Sequence, residues 1–189
     1  RSDYSVSASP WKDGKGDVVR EYVDACRRHG IKVGLYYSPA DESLNKQDWT
    51  AGSYDDFFIR QASELLTQYG TIDLLWFDGC GSENHAYDWP RIVREIRRLQ
   101  PGILLFNMGD PDIRWIGNEA GIAPMFNWNE VDALRSSIRA DRDDALAGGS
   151  RWLPGECDCR MRQDRWFYSE RDGHTVKSVG ELMGLYDYS

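Results

Sequence analysis

Ile72-Asp73-Leu74-Leu75-Trp76-Phe77-Asp78-Gly79 is an apolar run that ends abruptly in a carboxylate and a glycine. A run of this length between turn signals reads as a buried strand. The charge at its carboxyl end needs a reason, because an unpaired buried carboxylate is costly. In barrels and open α/β sheets the active site surrounds the carboxyl ends of parallel strands, which makes Asp78 the first candidate nucleophile or base. Asp is also a common turn residue, so a cap on the following turn is the competing reading.

Working outward, Val18, Val19, Tyr22, Val23 and Cys26 recur at helical spacing over 17–29, with Gly30 as the stop. Lys32-Val33-Gly34-Leu35-Tyr36-Tyr37-Ser38-Pro39 has the β-branched and aromatic content of a strand closed by proline. Ser53 and Asp56 resemble a capping box, and Phe58, Ala62, Leu65, Leu66 and Tyr69 continue a helical stripe up to Gly70. Beyond the central run, Trp89-Pro90 opens a helix with Ile92, Val93, Ile96 and Leu99 on one face, and Ile103-Leu104-Leu105-Phe106 is a short buried strand.

Strands that alternate with helices and lack hairpin signals imply parallel crossovers, hence a repeated β/α architecture. From about 110 to 172 the pattern loosens and is rich in Trp, Arg, Asp and Gly, as expected of site loops and short strands. Ser178 and Glu181 then cap a last helix running toward Tyr186. A complete eight-stranded barrel needs about 250 residues. The 189 residues here fit either a smaller open α/β domain or an interior portion of a barrel.

The chain is long enough for one globular domain spanning 1–189, and 41% of it is hydrophobic, which suffices for a core. A formal charge of -8 argues against nucleic acid or an anionic membrane as partner, and a neutral ligand fits better. No stretch approaches the roughly 20 apolar residues of a membrane helix. Eight Trp and ten Tyr supply aromatic faces suited to the C–H faces of sugars, although a core takes the same residues. Cys26 falls on a helix face, Cys80 follows Asp78-Gly79, and Cys157 and Cys159 form a C-x-C pair, spacings poor for zinc. The expectation is free thiols or a disulfide, with no metal and no cofactor.

Glycoside hydrolysis uses two carboxyl groups, one as nucleophile or base and one as general acid. With Asp78 as the first, the second is expected beyond another strand end. Asp112-Ile113-Arg114-Trp115-Ile116-Gly117-Asn118-Glu119 follows the strand at 103–106 and offers Glu119, or else a solvated loop glutamate. Asp110 and Asp112 read as turn residues around Pro111.

Several segments carry a resemblance in collinear order across nearly the whole chain. They are Asp3-Tyr4-Ser5-Val6 with Ser9-Pro10-Trp11-Lys12-Asp13-Gly14-Lys15-Gly16-Asp17, Gly34-Leu35-Tyr36-Tyr37-Ser38-Pro39, Trp76-Phe77-Asp78-Gly79, Pro111 to Glu119, and Glu156-Cys157-Asp158. Together they resemble glycoside hydrolase family 29, the α-L-fucosidases, and the Gly-Asn-Glu and Glu-Cys-Asp segments resemble its α-1,3/1,4-specific branch. The resemblance implies a barrel-type catalytic domain and a retaining double displacement on fucosylated glycans. In it Asp78 matches the nucleophile and Glu119 the acid/base. It also implies export, since relatives act on extracellular glycans.

Strand alternation turns Trp76 to the same face as Asp78, where the family has a fucose-contacting Trp; a core aromatic is the alternative. Tyr36, which alternates with Gly34 and Ser38, matches the family's inward tyrosine. Arg114, Trp115, Trp152 and Glu156 are candidate pocket or leaving-group contacts, although such residues also serve in ion pairs and packing. The family carries, upstream of Asp-Tyr-Ser-Val, a His-His-Asp-Gly-Phe motif and an earlier His that bind fucose hydroxyls. His29, His85 and His174 stand in neither context. The expected architecture is therefore an incomplete (β/α)8 TIM-like barrel with parallel strands, lacking the first and last strands. Its exposed edges would favour self-association. A non-catalytic or degenerate fucose-binding module is the alternative function.

Overall fold

A computed structural model of the chain describes residues 5–41, 50–82, 85–126, 129–131 and 151–188. Asp3 and Tyr4 of the Asp-Tyr-Ser-Val segment, and 132–150 of the loosely patterned stretch, lie outside the described residues. The fold is α/β with parallel strands, and the chain divides into two compact units, Arg1–Asp110 and Pro111–Ser189.

In the first unit, α1 (Val18–Arg28) starts at Asp17, whose carboxylate accepts the Arg20 N–H at 2.9 Å. It buries Val23 and Cys26. Gly30, at φ 67°, turns the chain toward β1 (Gly34–Tyr37). The next helix, α2 (Ala51–Gln68), begins three residues before the expected capping box. Thr50 is the cap, its hydroxyl accepting the Ser53 N–H at 3.2 Å, and Ser53 lies inside the first turn. Ala51 and Gly52 conceal this start in the sequence. A first-turn residue forgoes no intrahelical N–H bond, so Gly is tolerated there at little cost.

β2 (Leu74–Phe77) follows, then α3 (Trp89–Leu99), capped by Asp88 with Pro90 in its first turn, and β3 (Leu104–Phe106). Gln100 fixes the entry to β2: its amide donates to the Leu66 and Gly70 carbonyls at 2.7 and 2.8 Å and its oxygen accepts the Ile72 N–H at 2.8 Å.

The three strands are parallel in the order β1-β2-β3, with rows Leu35, Leu75, Leu105 and Tyr36, Trp76, Phe106 in register. One face is covered by helices. Phe58 of α2 meets Tyr37 and Phe77 at centroid distances of 4.9 and 5.8 Å, and Trp89 of α3 meets Phe77 at 5.7 Å. Both helices therefore lie on the same face of the sheet, and the order β1-β2-β3 winds in a single direction. Phe58, Leu75, Phe77, Ile92 and Leu105 are fully buried there, each contributing about 1.5–3 kcal/mol by leaving water. The opposite face carries Gly34, Tyr36, Leu74, Trp76, Leu104 and Phe106, and β2 delivers Asp78 at its carboxyl end.

Among the described residues the second unit holds four short strands, β4 (Arg114–Trp115), β5 (Glu130–Val131), β6 (Arg151–Trp152) and β7 (Gly155–Glu156). β4 pairs parallel with β7, and β5 antiparallel with β6. α4 (Val179–Tyr188) opens with the expected box: Glu181 accepts the Ser178 N–H at 2.7 Å and Ser178 Oγ accepts the Glu181 N–H at 3.2 Å. No helix among the described residues is long and apolar enough to cross a membrane.

Candidate active site

Parallel register and strand alternation bring Tyr36, Trp76 and Asp78 together at the carboxyl ends of β1 and β2. The Tyr36 phenol donates to Asp78 Oδ2. The Cys80 N–H donates to Asp78 Oδ1 at 2.8 Å, which closes an Asx-type turn. The turn-cap reading of Asp78 is thus realised by one oxygen, while the other accepts from a phenol. Burial first, and then the bond to Asp78, push the Tyr36 pKa well above the ordinary tyrosine value, so the phenol persists as a donor.

Trp76 is stacked on both sides. Its ring lies 5.3 Å from Tyr36 at 20° and 4.2 Å from Phe106 at 17°, so three rings from three strands form one ladder. Phe106 is fully buried while Tyr36 is 61% exposed, so the ladder runs from core to surface. Phe106 was legible in the sequence only as a core residue; its place in the ladder follows from the β2–β3 register. Next to it, Asn107 is buried at φ 71°, a left-handed conformation that Asn tolerates, and its amide reaches the Phe77 carbonyl at 3.4 Å.

The second unit gathers another set. The β4–β7 pairing places Trp115 opposite Glu156 and Arg114 opposite Gly155, so the Pro111–Glu119 and Glu156-Cys157-Asp158 segments meet. The Trp115 indole N–H donates to Asp158 Oδ1 at 2.5 Å, and Arg114 Nε to Asn129 Oδ1 at 3.3 Å. Arg114 is half-buried, and desolvation lowers its pKa. Gly117, at φ 78°, makes the turn toward Glu119, and a Cβ there would lie 2.5 Å from the Ile122 carbonyl oxygen and 2.8 Å from Cys157 Sγ.

Glu119 is exposed, with Arg160 Nη1 3.8 Å from its Oε2 and its carbonyl accepting the Arg160 N–H at 3.2 Å. Nothing in the sequence pattern pointed to Arg160. Trp152 is 64% exposed on β6, beside Arg151, whose guanidinium lies 3.5 Å from Asp112. Asp112 is thus an ion-pair residue near the Pro111 turn.

No disulfide joins any of Cys26, Cys80, Cys157 and Cys159. Among the described residues no three His, Cys, Asp or Glu side chains gather as metal ligands do.

Comparison with known proteins agrees across sequence and structure. A family model described as alpha-L-fucosidase matches residues 2–184. The Arabidopsis thaliana protein "Alpha-L-fucosidase 1" is 35% identical over 98% of this chain, which spans 37% of that relative's length. A glycoside hydrolase 29 family member from a rumen bacterium superposes with a TM-score of 0.84 at 38% identity, over 100% of this chain and 36% of that one. Alpha-L-fucosidase isoenzyme 1 from Paenibacillus thiaminolyticus gives a TM-score of 0.69 at 26% identity, over 97% of this chain and 46% of that one.

Proposed function

The chain belongs to the α-L-fucosidases of glycoside hydrolase family 29, and on that premise we propose that it supplies the nucleophile and the acid/base of a retaining enzyme that releases α-1,3/1,4-linked L-fucose from glycans. The observation that carries this reading is the Asp78 carboxylate, presented at the end of β2 between the Tyr36 phenol and the Cys80 N–H, beside the stacked Trp76.

In the first displacement an Asp78 oxygen bonds to the anomeric carbon as the glycosidic C–O bond breaks, and Glu119 gives its proton to the departing oxygen. In the second, Glu119 takes a proton from water, which attacks the same carbon and breaks the ester to Asp78. The two donors on Asp78 suit the second step: each is a dipole that stabilises the carboxylate as it leaves. The exposed edge of the Tyr36–Trp76 ladder is an aromatic platform for the C–H face of a 6-deoxy sugar. Arg114, Trp115, Trp152 and Glu156 are proposed contacts to the sugar or to the leaving group.

The finer architecture belongs to the same proposal. The β1–β2–β3 sheet is read as part of a (β/α)8 barrel whose first and last strands lie outside this chain, a reading supported by the single direction of winding. Open edges at β1 and β3 then favour self-association of the isolated segment, which size-exclusion chromatography tests. A compact monomer would count against it.

The central experiment replaces Asp78 by Gly in the full-length protein and follows an aryl α-L-fucoside with and without azide. Loss of turnover, restored by azide with formation of a fucosyl azide, supports the nucleophile. Unchanged turnover would sink it. Fucose binding without turnover in the unmutated protein favours the degenerate-module reading instead.

A further inference from the structure

Asp55 is 2% exposed, yet its carboxylate belongs to no site described so far. It lies on the helix face of the sheet, one residue after Tyr54 near the start of α2. Oδ1 meets His85 Nε2 at 2.9 Å and Oδ2 accepts the Asp88 N–H at 2.9 Å. A buried carboxylate with both oxygens engaged is held by its partners, and here both partners belong to the segment between Asp78 and α3.

Among its described residues that segment is tied down from Asp78 onward. The Cys80 N–H bonds Asp78 Oδ1, the Ser82 N–H bonds the Gly79 carbonyl at 3.0 Å, and the His85 N–H bonds the Ser82 carbonyl at 3.2 Å. Asp55 then anchors the far end at His85 and Asp88.

Rings pack the anchor. His85 stands edge-on to Tyr54 at 4.9 Å and to Tyr87 at 4.3 Å, and Tyr87, Trp89 and Phe58 continue to Phe77, the residue before Asp78. The neighbouring loop is held from the same turn of helix: the Tyr54 hydroxyl donates to the Pro39 carbonyl at 2.5 Å, just beyond β1 and Tyr36. Two consecutive α2 residues thus grip, from behind the sheet, the segments that follow Tyr36 and Asp78.

We propose that Asp55 and His85 form a positioning pair that sets the angle at which Asp78 is presented, a role that rests on the reading of Asp78 as nucleophile. The pair touches no substrate. Its effect is on the distance between carboxylate oxygen and anomeric carbon at the moment of attack, a quantity to which displacement rates are steeply sensitive.

The test uses the full-length protein with His85→Ala, His85→Gln, and the double variant Asp55→Asn with His85→Ala, each assayed for kcat and KM on an aryl α-L-fucoside and for thermal unfolding. His85 is part-exposed, so its variants test the pair even where a change at Asp55 prevents folding. His85→Ala is expected to lower kcat by ~10–100-fold with KM within ~3-fold. His85→Gln, which returns a side-chain N–H donor, should recover most of that loss. The double variant should be no slower than His85→Ala, because the pair acts as a unit. A folded His85→Ala protein with unchanged kcat, or a loss that Gln does not recover, would overturn the proposal. Azide restoration of Asp78→Gly separates the two claims: restoration with unchanged His85→Ala kcat overturns the pair alone, and no restoration overturns the nucleophile reading on which the pair depends.

Discussion

The Tyr36 hydroxyl donates to Asp78 Oδ2 across adjacent parallel strands, and the register Tyr36↔Trp76 sets that contact. Asp78 lies two residues beyond the partner of Tyr36, on the same face, within reach of a phenol but not of a shorter side chain. Tyr36→Phe keeps the ring stack and removes only the donor. A hydrogen bond to a charged group is worth about 1.5–3 kcal/mol, so breakdown of the ester to Asp78, read as kcat on an activated aryl α-L-fucoside whose first step is fast, should slow ~10–150-fold. An unchanged value would remove Tyr36 from the machinery.

Phe106 is the buried end of the ring ladder. Phe106→Ala leaves Trp76 without its inner stacking partner and opens a cavity, with an expected loss of about 3–5 kcal/mol of stability in urea unfolding. Phe106→Leu should recover most of the stability but less of the kcat/KM, because volume returns without the flat face.

Glu119→Gln tests the acid/base role by leaving-group dependence. A substrate whose leaving group needs protonation should slow by ~10²–10⁴-fold, while an activated aryl fucoside should slow far less in its first step. Equal losses on both substrates would mean that Glu119 does not deliver the proton.

Gly117→Ala probes the turn between Trp115 and Glu119. The added Cβ would meet the Ile122 carbonyl and Cys157 Sγ at a φ of 78°, which predicts a loss of about 2–5 kcal/mol. Thermal unfolding reads it directly, and a stability within error of the parent protein would refute it.

Alkaline pH should weaken the fold. Burial first, with the neighbouring Tyr54, Asp41 and Tyr87 charges after it, raises the Tyr37 pKa above the ordinary 10.0, and Tyr36 is raised as well. A raised folded-state value means that the neutral phenol is preferred in the fold, so this stability is complete below pH 10 and is lost as pH rises above it. Tyr37→Phe should flatten the fall in melting temperature between neutral pH and pH ~11. A parallel fall in the variant would assign the loss to other groups.

Period made part of the candidate site legible. Alternation along 72–79 placed Trp76 with Asp78, and alternation along 34–38 put Tyr36 on one face with Gly34 and Ser38, where the family resemblance chose it over Tyr37; the structure gives Tyr37 to the helix face, bonded to Gln61 at 2.5 Å and packed on Phe58. The start of α2 was misread because Thr50 is followed by Ala51-Gly52, a pair that looks like linker until the hydroxyl is seen on the Ser53 N–H. Arg160 beside Glu119, and Asp158 beneath the Trp115 indole, had no periodic signal, since they belong to irregular chain brought close by β4–β7 pairing and the Ala120–Cys159 bridge.

The sequence by itself determined the alternating β/α plan, the residues at each strand end and the family, because side-chain period and collinear motifs are local properties of the chain. Only the tertiary structure decided which donors the Asp78 oxygens meet, that Phe106 closes the ring ladder, and that Asp55 engages His85 behind the sheet. Those are contacts between segments far apart in sequence. They depend on register and on the angle at which helices cover strands, and residue order does not encode either one locally.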